Sequence, residues 1–157
     1  MDDADQISKL FYDTITHVNK ADYTPAQIEA WRTGSQNTEA WRNKIKEQYF
    51  FVAELESEIV GFSSITPEGY LDYMFVHKDH QREGIGTQLL QALEQIAADL
   101  NISEIWAKVS ITARPFFKSK GFVISKTYTT EIRGVEFDEI EMRKGCTAVR
   151  MDPSSGI

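Results

Sequence analysis

Cysteine is nearly absent from this sequence of 157 residues, in which Cys146 is the only one. A single cysteine excludes an internal disulfide and a cysteine-rich metal site, and it is typical of a protein from a reducing compartment. Cys146 lies close to a polar C-terminal tail, and we interpret it as incidental.

Long apolar runs are missing as well. No segment approaches the roughly 20 apolar residues that a membrane-spanning helix requires. The first residues, 1–5 (MDDAD), are acidic, whereas signal and transit peptides are basic. We therefore expect a cytoplasmic protein with no membrane partner.

Basic residues are in the minority, with 17 Lys and Arg against 24 Asp and Glu and a net charge of −7. Nucleic-acid-binding proteins need a basic face, so we expect no nucleic-acid partner. An acidic surface favours cationic or neutral partners, although it also serves solubility alone. The length fits one domain, which we assign to residues 1–145, with residues 146–157 as a loose tail.

The first third of the chain has helical periodicity. Apolar residues recur every three or four positions in residues 5–19, with Asp5 as the expected N-cap. Thr24 and Pro25 predict the start of a second helix that runs to about Trp31. Residues 38–47 predict a third, short helix.

From residue 49 the pattern changes to that of strands. The predicted order is an antiparallel meander, a long helix, a strand, a short helix ended by Gly121, and a terminal hairpin. The corresponding segments are 49–55, 59–65, 70–76, 84–100, 104–109, 112–120, 122–132 and 135–143. A strand, helix and strand in succession imply a crossover with parallel pairing. The fold class is therefore mixed α/β, of the α+β kind with a mixed sheet.

The loop of residues 81–87 (QREGIGT) has two glycines where the long helix begins. Glycine loses the most backbone entropy on ordering, so Gly84 and Gly86 have a cost. A strand followed by Gly-x-Gly at a helix N-terminus suits an anion such as phosphate, to which Arg82 and Thr87 could contribute. P-loop and dinucleotide-binding loops are excluded by the missing Lys and third glycine. The alternative is that the glycines only shape a tight turn.

Two motifs together resemble the GNAT superfamily of N-acetyltransferases. Residues 81–86 (QREGIG), after 74–76 (MFV), are similar to its coenzyme A pyrophosphate loop. Residues 113–122 (ARPFFKSKGF) are similar to its later motif, Ala-x-x-Phe/Leu-Tyr-x-x-x-Gly-Phe. The resemblance covers about residues 49–143. It implies a GNAT-type fold, acetyl-CoA as donor, and direct acetyl transfer to a primary amine of a small molecule in a ternary complex.

The resemblance also implies where coenzyme A would lie, in the V between the third and fourth predicted strands. Main-chain groups of Phe75 and Val76 would pair with the pantetheine arm, and Ser110 takes the place of a common Asn. For Phe116, ordinary packing is the alternative. The implied cofactor-binding residues are Met74, Phe75, Val76, Gln81, Arg82, Glu83, Gly84, Ile85, Gly86, Thr87, Ser110, Phe116, Phe117 and Lys120.

The sequence departs from the family where a Tyr often protonates the leaving thiolate, because Phe117 has no proton to give. Tyr70, Tyr73 and Tyr128 are candidate acids, and water is another. A further alternative is a catalytically silent acyl-CoA-binding sensor. The least favoured one is a structural or oligomerisation module.

Asp72 is the first candidate for the general base. Alternation along its strand predicts that it shares a sheet face with Tyr70 and Met74. Many family members have an acidic residue there, which accepts the proton directly or through water. The alternative is a solvated or salt-bridged Asp.

The acceptor pocket is expected within residues 17–45, where Tyr23, Trp31 and Trp41 supply aromatic walls that could equally be core. His77 and His80 have the spacing of a metal pair but suggest no third ligand, so we expect surface histidines and no metal.

Family members usually begin with a strand, but here a helix comes first. Strand 49–55 would then be an exposed edge, protected by charge or by a homodimer.

Overall fold

Three helices begin the chain in the computed structural model, which describes residues 2–146. They are α1 (Asp3–His17), α2 (Pro25–Arg32) and α3 (Thr38–Glu47), with a single 3-10 turn at Asn19–Ala21. The predicted Thr24 N-cap of α2 is confirmed, and its reciprocal bonds with Gln27 form a capping box. The predicted Asp5 N-cap of α1 is wrong. Asp2 is the cap, and it accepts from the backbone N–H of Asp5, which lies inside the first turn.

Two three-stranded antiparallel sheets follow the helices. The first has the order β1-β2-β3, and its strands are β1 (Tyr49–Leu55), β2 (Glu58–Ile65) and β3 (Leu71–Val76). The second has the order β4-β6-β5, with β4 (Glu104–Val109), β5 (Val123–Ile132) and β6 (Val135–Gly145). Helix α4 (Ile85–Asp99) connects the sheets, and α5 (Arg114–Ser119) follows β4. The predicted meander, crossover helix and terminal hairpin are confirmed.

The two sheets meet at one parallel bridge between Tyr70 and Trp106. The backbone N–H of Trp106 donates to the carbonyl of Gly69 at 3.1 Å, and the Tyr70 and Trp106 rings lie 4.3 Å apart. Beyond this bridge β3 and β4 belong to separate sheets. The predicted parallel pairing is therefore confined to one point, and a cleft opens between the two strands.

Separate apolar clusters cover the two faces of the first sheet. Residues of α1 and α3 pack with Phe62 and other rings on one face, and residues of α4 pack on the other. Trp41 belongs to the first cluster, where it is 5% exposed and its indole N–H donates to the carbonyl of Ser35. Trp41 is thus part of the core and not the acceptor wall that the sequence analysis expected.

Strand β1 is the outer strand of its sheet, as predicted, and no strand precedes α1 within residues 2–146. Val52 and Leu55 on this strand are exposed. Dimerisation through this edge stays a prediction. The predicted loose tail lies, from residue 147, outside the described residues. In the part of the chain that the structure describes, no helix is long and apolar enough to span a membrane.

Gly69 is the position at which the junction of the sheets is most sensitive to substitution. Its φ is +101°, and an added Cβ would lie 2.5 Å from the carbonyl oxygen of Glu104. We expect Gly69→Ala to lower the free energy of unfolding by about 2 kcal/mol or more in urea denaturation. Gly145→Ala is the matched control, because a Cβ there meets no atom within 4 Å. A Gly69→Ala protein as stable as the control would contradict the proposed junction.

Candidate active site

The cleft between β3 and β4 contains a cavity of about 1070 Å³. Its walls come from β3, the loop before α4, β4, α5, the segment around residues 18–23 and the hairpin of β5 and β6. Ligand sites of drug-sized molecules reach roughly 1000 Å³, so this cavity has room for a large ligand or for two ligands together.

The loop before α4 forms one end of the cavity. The Gln81 side-chain amide donates to the carbonyls of Val76 at 2.6 Å and His77 at 3.3 Å, which braces the loop against the end of β3. Gly84 adopts a φ of +85°, and a Cβ placed there would meet no atom within 4 Å. Glycine is therefore favoured at residue 84 by conformation, and the space beside it is open.

Helix α4 lacks the side-chain cap that the other long helices have. Asp2, Thr24 and Asn37 cap α1, α2 and α3, whereas Gly84 offers no side chain to the first turn of α4. Residues 84–87, which carry the free backbone N–H groups of this turn, line the cavity. Free N–H groups and the helix dipole together favour a bound anion. This end of the cavity therefore suits a phosphate.

Backbone groups of β3 face the middle of the cleft. The N–H of His77 donates to the carbonyl of Val60, which fixes the hydrogen-bonding phase between β2 and β3. Because backbone hydrogen bonds to a neighbouring strand alternate along a strand, the N–H and C=O of Phe75 also point towards β2. The backbone N–H and C=O groups of Met74 and Val76 point away from β2. The Val76 carbonyl already accepts from Gln81. The backbone groups available to a ligand are therefore the N–H and C=O of Met74 and the N–H of Val76, and not those of Phe75 as expected.

Asp72 occupies a β-bulge. Ile65 pairs with Leu71 and Ser64 pairs with Tyr73, so Asp72 is an extra residue without a partner on β2. The prediction that Asp72 shares a face with Tyr70 and Met74 is wrong, because the bulge interrupts the alternation of side chains.

The Asp72 carboxylate is turned towards α3. Its Oδ2 accepts from the Lys44 ammonium at 3.1 Å and from the Gln48 amide at 2.7 Å. The side chain is 14% exposed and still lines the cavity. Asp72 is thus a salt-bridged carboxylate held at the wall of the site.

The three candidate tyrosines are all protonated at neutral pH. Burial, with a contribution from the charge of Asp72, raises the pKa of Tyr70 and Tyr73. Burial and the neighbouring Glu139 raise the pKa of Tyr128 to about 12. Of the three, Tyr73 lines the cavity, while Tyr70 and Tyr128 do not. A raised pKa makes each phenol a weaker acid than an ordinary tyrosine.

Aromatic side chains form another part of the cavity wall, which we call the aromatic end. The rings of Tyr23 and Trp31 lie 5.2 Å apart, and Phe137 lies 6.1 Å from Tyr23. The Tyr23 hydroxyl accepts from the N–H of Ile111 at 2.8 Å, which joins this wall to the loop after β4. Of the three expected acceptor residues, Tyr23 and Trp31 line the cavity.

Carboxylates at this aromatic end were missed by the sequence analysis. They are Asp22, Asp138 and Glu139, and all three line the cavity. The only signal for them in the sequence is the overall net charge of −7, because nothing local distinguishes these residues from surface carboxylates.

The remaining expected cofactor residues divide between the cavity and its surroundings. Ser110, Phe116 and Phe117 line the cavity, although Phe117 is only 4% exposed and packs in the core. Glu83 and Lys120 are outside the lining. Glu83 bonds to His80, and Lys120 lies over the ring of Phe116.

The two histidines of the loop have acidic neighbours. His77 lies near Glu58 and Asp79, and its ring is 5.4 Å from that of His80. Within residues 2–146 no three His, Cys, Asp or Glu residues are grouped in a way that could hold a metal ion.

Comparison with known families and structures decides the family. A family model described as "Acetyltransferase (GNAT) domain" matches residues 19–146. The chain belongs to the GNAT family of acetyltransferases. The resemblance seen in the two motifs is thereby confirmed, and this GNAT protein is an acetyl-CoA-dependent N-acetyltransferase.

Relatives of this GNAT protein span most of its length. It is 32% identical over 141 residues to the uncharacterised N-acetyltransferase YafP of Escherichia coli (strain K12), with 90% and 89% of the two chains covered. A crystal structure of a GCN5-related N-acetyltransferase from Rhodopseudomonas palustris matches with a TM-score of 0.87 and 27% identity, covering 91% and 89%. PaiA N-acetyltransferase of Thermoplasma acidophilum, in complex with coenzyme A, matches with a TM-score of 0.74 and 20% identity, covering 91% and 92%.

Substitution at Gly84 tests the loop as an anion site. We expect Gly84→Ala to weaken acetyl-CoA binding by about tenfold or more in calorimetric titration, because alanine disfavours the positive φ and displaces the free N–H groups. Gly121→Ala is the matched control, since Gly121 also has a positive φ, of +94°, but lies outside the cavity lining. Equal losses of affinity in the two variants would show that backbone strain alone is responsible.

Proposed function

We propose that this protein transfers the acetyl group of acetyl-CoA directly to a primary amine of a small molecule, with donor and acceptor bound together in the cleft between β3 and β4. The observation that carries this proposal is the division of one cavity into two unlike ends. One end has the uncapped N-terminus of α4, and the other has aromatic rings and carboxylates. The first end suits a diphosphate, and the second suits an amine.

The donor end would hold coenzyme A through backbone groups. The N–H groups of residues 84–87 would bind the diphosphate, and Arg82, which makes no ion pair within residues 2–146, would add a positive charge. Met74 and Val76 would pair with the pantetheine arm as an added strand does. Bound acetyl-CoA supplies a thioester, which is already activated, so the protein needs no nucleophilic side chain.

Asp72 is proposed as the base that removes a proton from the acceptor ammonium. Lys44 and Gln48 fix its Oδ2, whereas its Oδ1 accepts no hydrogen bond from the described residues. A carboxylate held in this way can receive the proton directly or through one water molecule. The neutral amine nitrogen then attacks the thioester carbonyl and the C–S bond breaks. The nitrogen loses its second proton, which balances the proton gained by the leaving sulfur.

Water is proposed as the source of the proton for the leaving sulfur. Phe117 has no proton to give, and Tyr73, although it lines the cavity, is a weakened acid because burial raises its pKa. Donation from such a phenol to a thiolate is unfavourable, since the tyrosinate formed would be the stronger base. Water in the open cleft can instead relay to the sulfur the proton that the nitrogen loses as the amide forms.

The substitution Asp72→Asn tests the assignment of Asp72 as the general base. We expect Asp72→Asn to lower kcat by roughly 10²- to 10⁴-fold, measured as release of free CoA in the presence of a panel of primary amines. Acetyl-CoA affinity should stay unchanged, because Asp72 is hydrogen-bonded to Lys44 and Gln48 and not to the loop of residues 81–87.

Asp99→Asn is the matched control, since it removes the same charge at the far end of α4, outside the cavity lining. Full activity in Asp72→Asn would rule Asp72 out as the base. The wild-type protein could also bind acetyl-CoA and yet release no CoA in the presence of any amine of the panel. In that case the acyl-CoA-binding sensor becomes the better hypothesis.

A further inference from the structure

We propose that Glu139 binds a second positively charged group of the acceptor, so that the preferred acceptors are amines with two cationic centres. This inference rests on the proposed function of the same cavity, and it assigns the acceptor a charge and a contact. It concerns a residue of β6, on the wall of the cavity that the second sheet supplies.

Glu139 and Asp72 lie on opposite walls of the cleft. Asp72 is on β3 in the first sheet, Glu139 is on β6 in the second sheet, and both line the cavity. The charges of both carboxylates act on Tyr70. Its pKa is raised by burial and, in addition, by the charges of Asp72 and Glu139. An acceptor in this cavity therefore lies between two negatively charged walls.

The hydrogen bonding of the Glu139 carboxylate is incomplete. Its Oε1 accepts from the Thr130 hydroxyl at 3.0 Å, whereas its Oε2 is buried and accepts no hydrogen bond. Burial and the neighbouring Glu139 carboxylate raise the pKa of Tyr128, but the Tyr128 hydroxyl leaves Oε2 of Glu139 unsatisfied. An unpaired buried carboxylate oxygen is unfavourable, and an ammonium group supplies the kind of donor that it lacks.

The Glu139 carboxylate also lacks an ion-pair partner among the described residues, in contrast to that of Asp72. Lys44 forms an ion pair with Asp72, while Glu139 makes no ion pair within residues 2–146. Lys108 lines the cavity, but its ammonium lies over the ring of Tyr128, 5.9 Å from the ring centroid. Of the two facing carboxylates, Glu139 is therefore the one without a cationic partner.

The aromatic walls fit the spacer of such an acceptor. Tyr23, Trp31 and Phe137 line the same end of the cavity as Glu139. Their rings can pack against methylene groups and attract a cation through their faces. The acceptor then places its reacting amine at Asp72 and its second cation at Glu139.

Matched pairs of acceptors test this proposal. Linear diamines are compared with amino alcohols of the same chain length, which keep the reacting amine and replace the second ammonium by a hydroxyl. We expect the wild-type protein to prefer the best diamine by about tenfold or more in kcat/KM, the size of effect that a charge-assisted hydrogen bond gives. In Glu139→Gln the preference should disappear through a higher KM for the diamine, with little change in kcat.

Glu136→Gln is the control, because Glu136 lies on the same strand, is exposed and is outside the cavity lining. It should keep the wild-type preference. No preference in the wild-type protein, or an unchanged preference in Glu139→Gln, would overturn the proposal. Titration with acetyl-CoA confirms that each variant is folded with its donor site intact.

Calorimetric titration of the diamines into CoA-saturated protein separates this proposal from the proposed function. Diamine binding that depends on Glu139, without acetyl transfer to any amine, would leave the Glu139 contact standing and refute the transferase proposal. Absence of diamine binding would overturn the Glu139 contact, whatever the activity with other amines.

Discussion

The single backbone bridge between Tyr70 and Trp106 is the constraint on which the site depends. It joins two antiparallel sheets at one end and leaves β3 and β4 without each other as partners beyond it. Backbone N–H and C=O groups on strand edges require hydrogen-bonding partners. The groups of Met74 and the N–H of Val76 therefore face a cleft in which water or a ligand must satisfy them, whereas Gln81 donates to the Val76 carbonyl. A longer parallel ladder would satisfy them internally and close the cavity.

The cleft acquires two different chemistries because different parts of the chain build its ends. Helix α4 begins at Gly84 without a side-chain cap, so its free N–H groups give one end a positive potential. The aromatic end is built from the α1–α2 connection and the β5–β6 hairpin, which bring rings and carboxylates together. In the proposed function the anionic donor and the amine acceptor bind to these different parts of the wall, and Asp72 lies where β3 contacts α3.

The order of elements was predictable because helix and strand periods, the Thr24 capping box and the glycine turns are local properties of the sequence. The two motifs likewise identified the family and the donor. The face of Asp72 was not predictable, since it depends on a bulge set by the pairing of β2 with β3. Trp41 was assigned to the acceptor pocket and not to the core, because aromatic residues recur along a helix in the same way whether they line a pocket or pack in a core. Glu139 was missed because only the tertiary fold brings it to the cleft.

A crystal structure of the protein with coenzyme A would examine the division of the cleft directly. We expect density for the diphosphate against the N–H groups of residues 84–87 and for the pantetheine arm along Met74 and Val76. The thiol should point towards Asp72 and the aromatic end. A diphosphate bound away from α4, or a pantetheine arm that leaves the edge of β3 unpaired, would contradict the placement of donor and acceptor proposed for this enzyme.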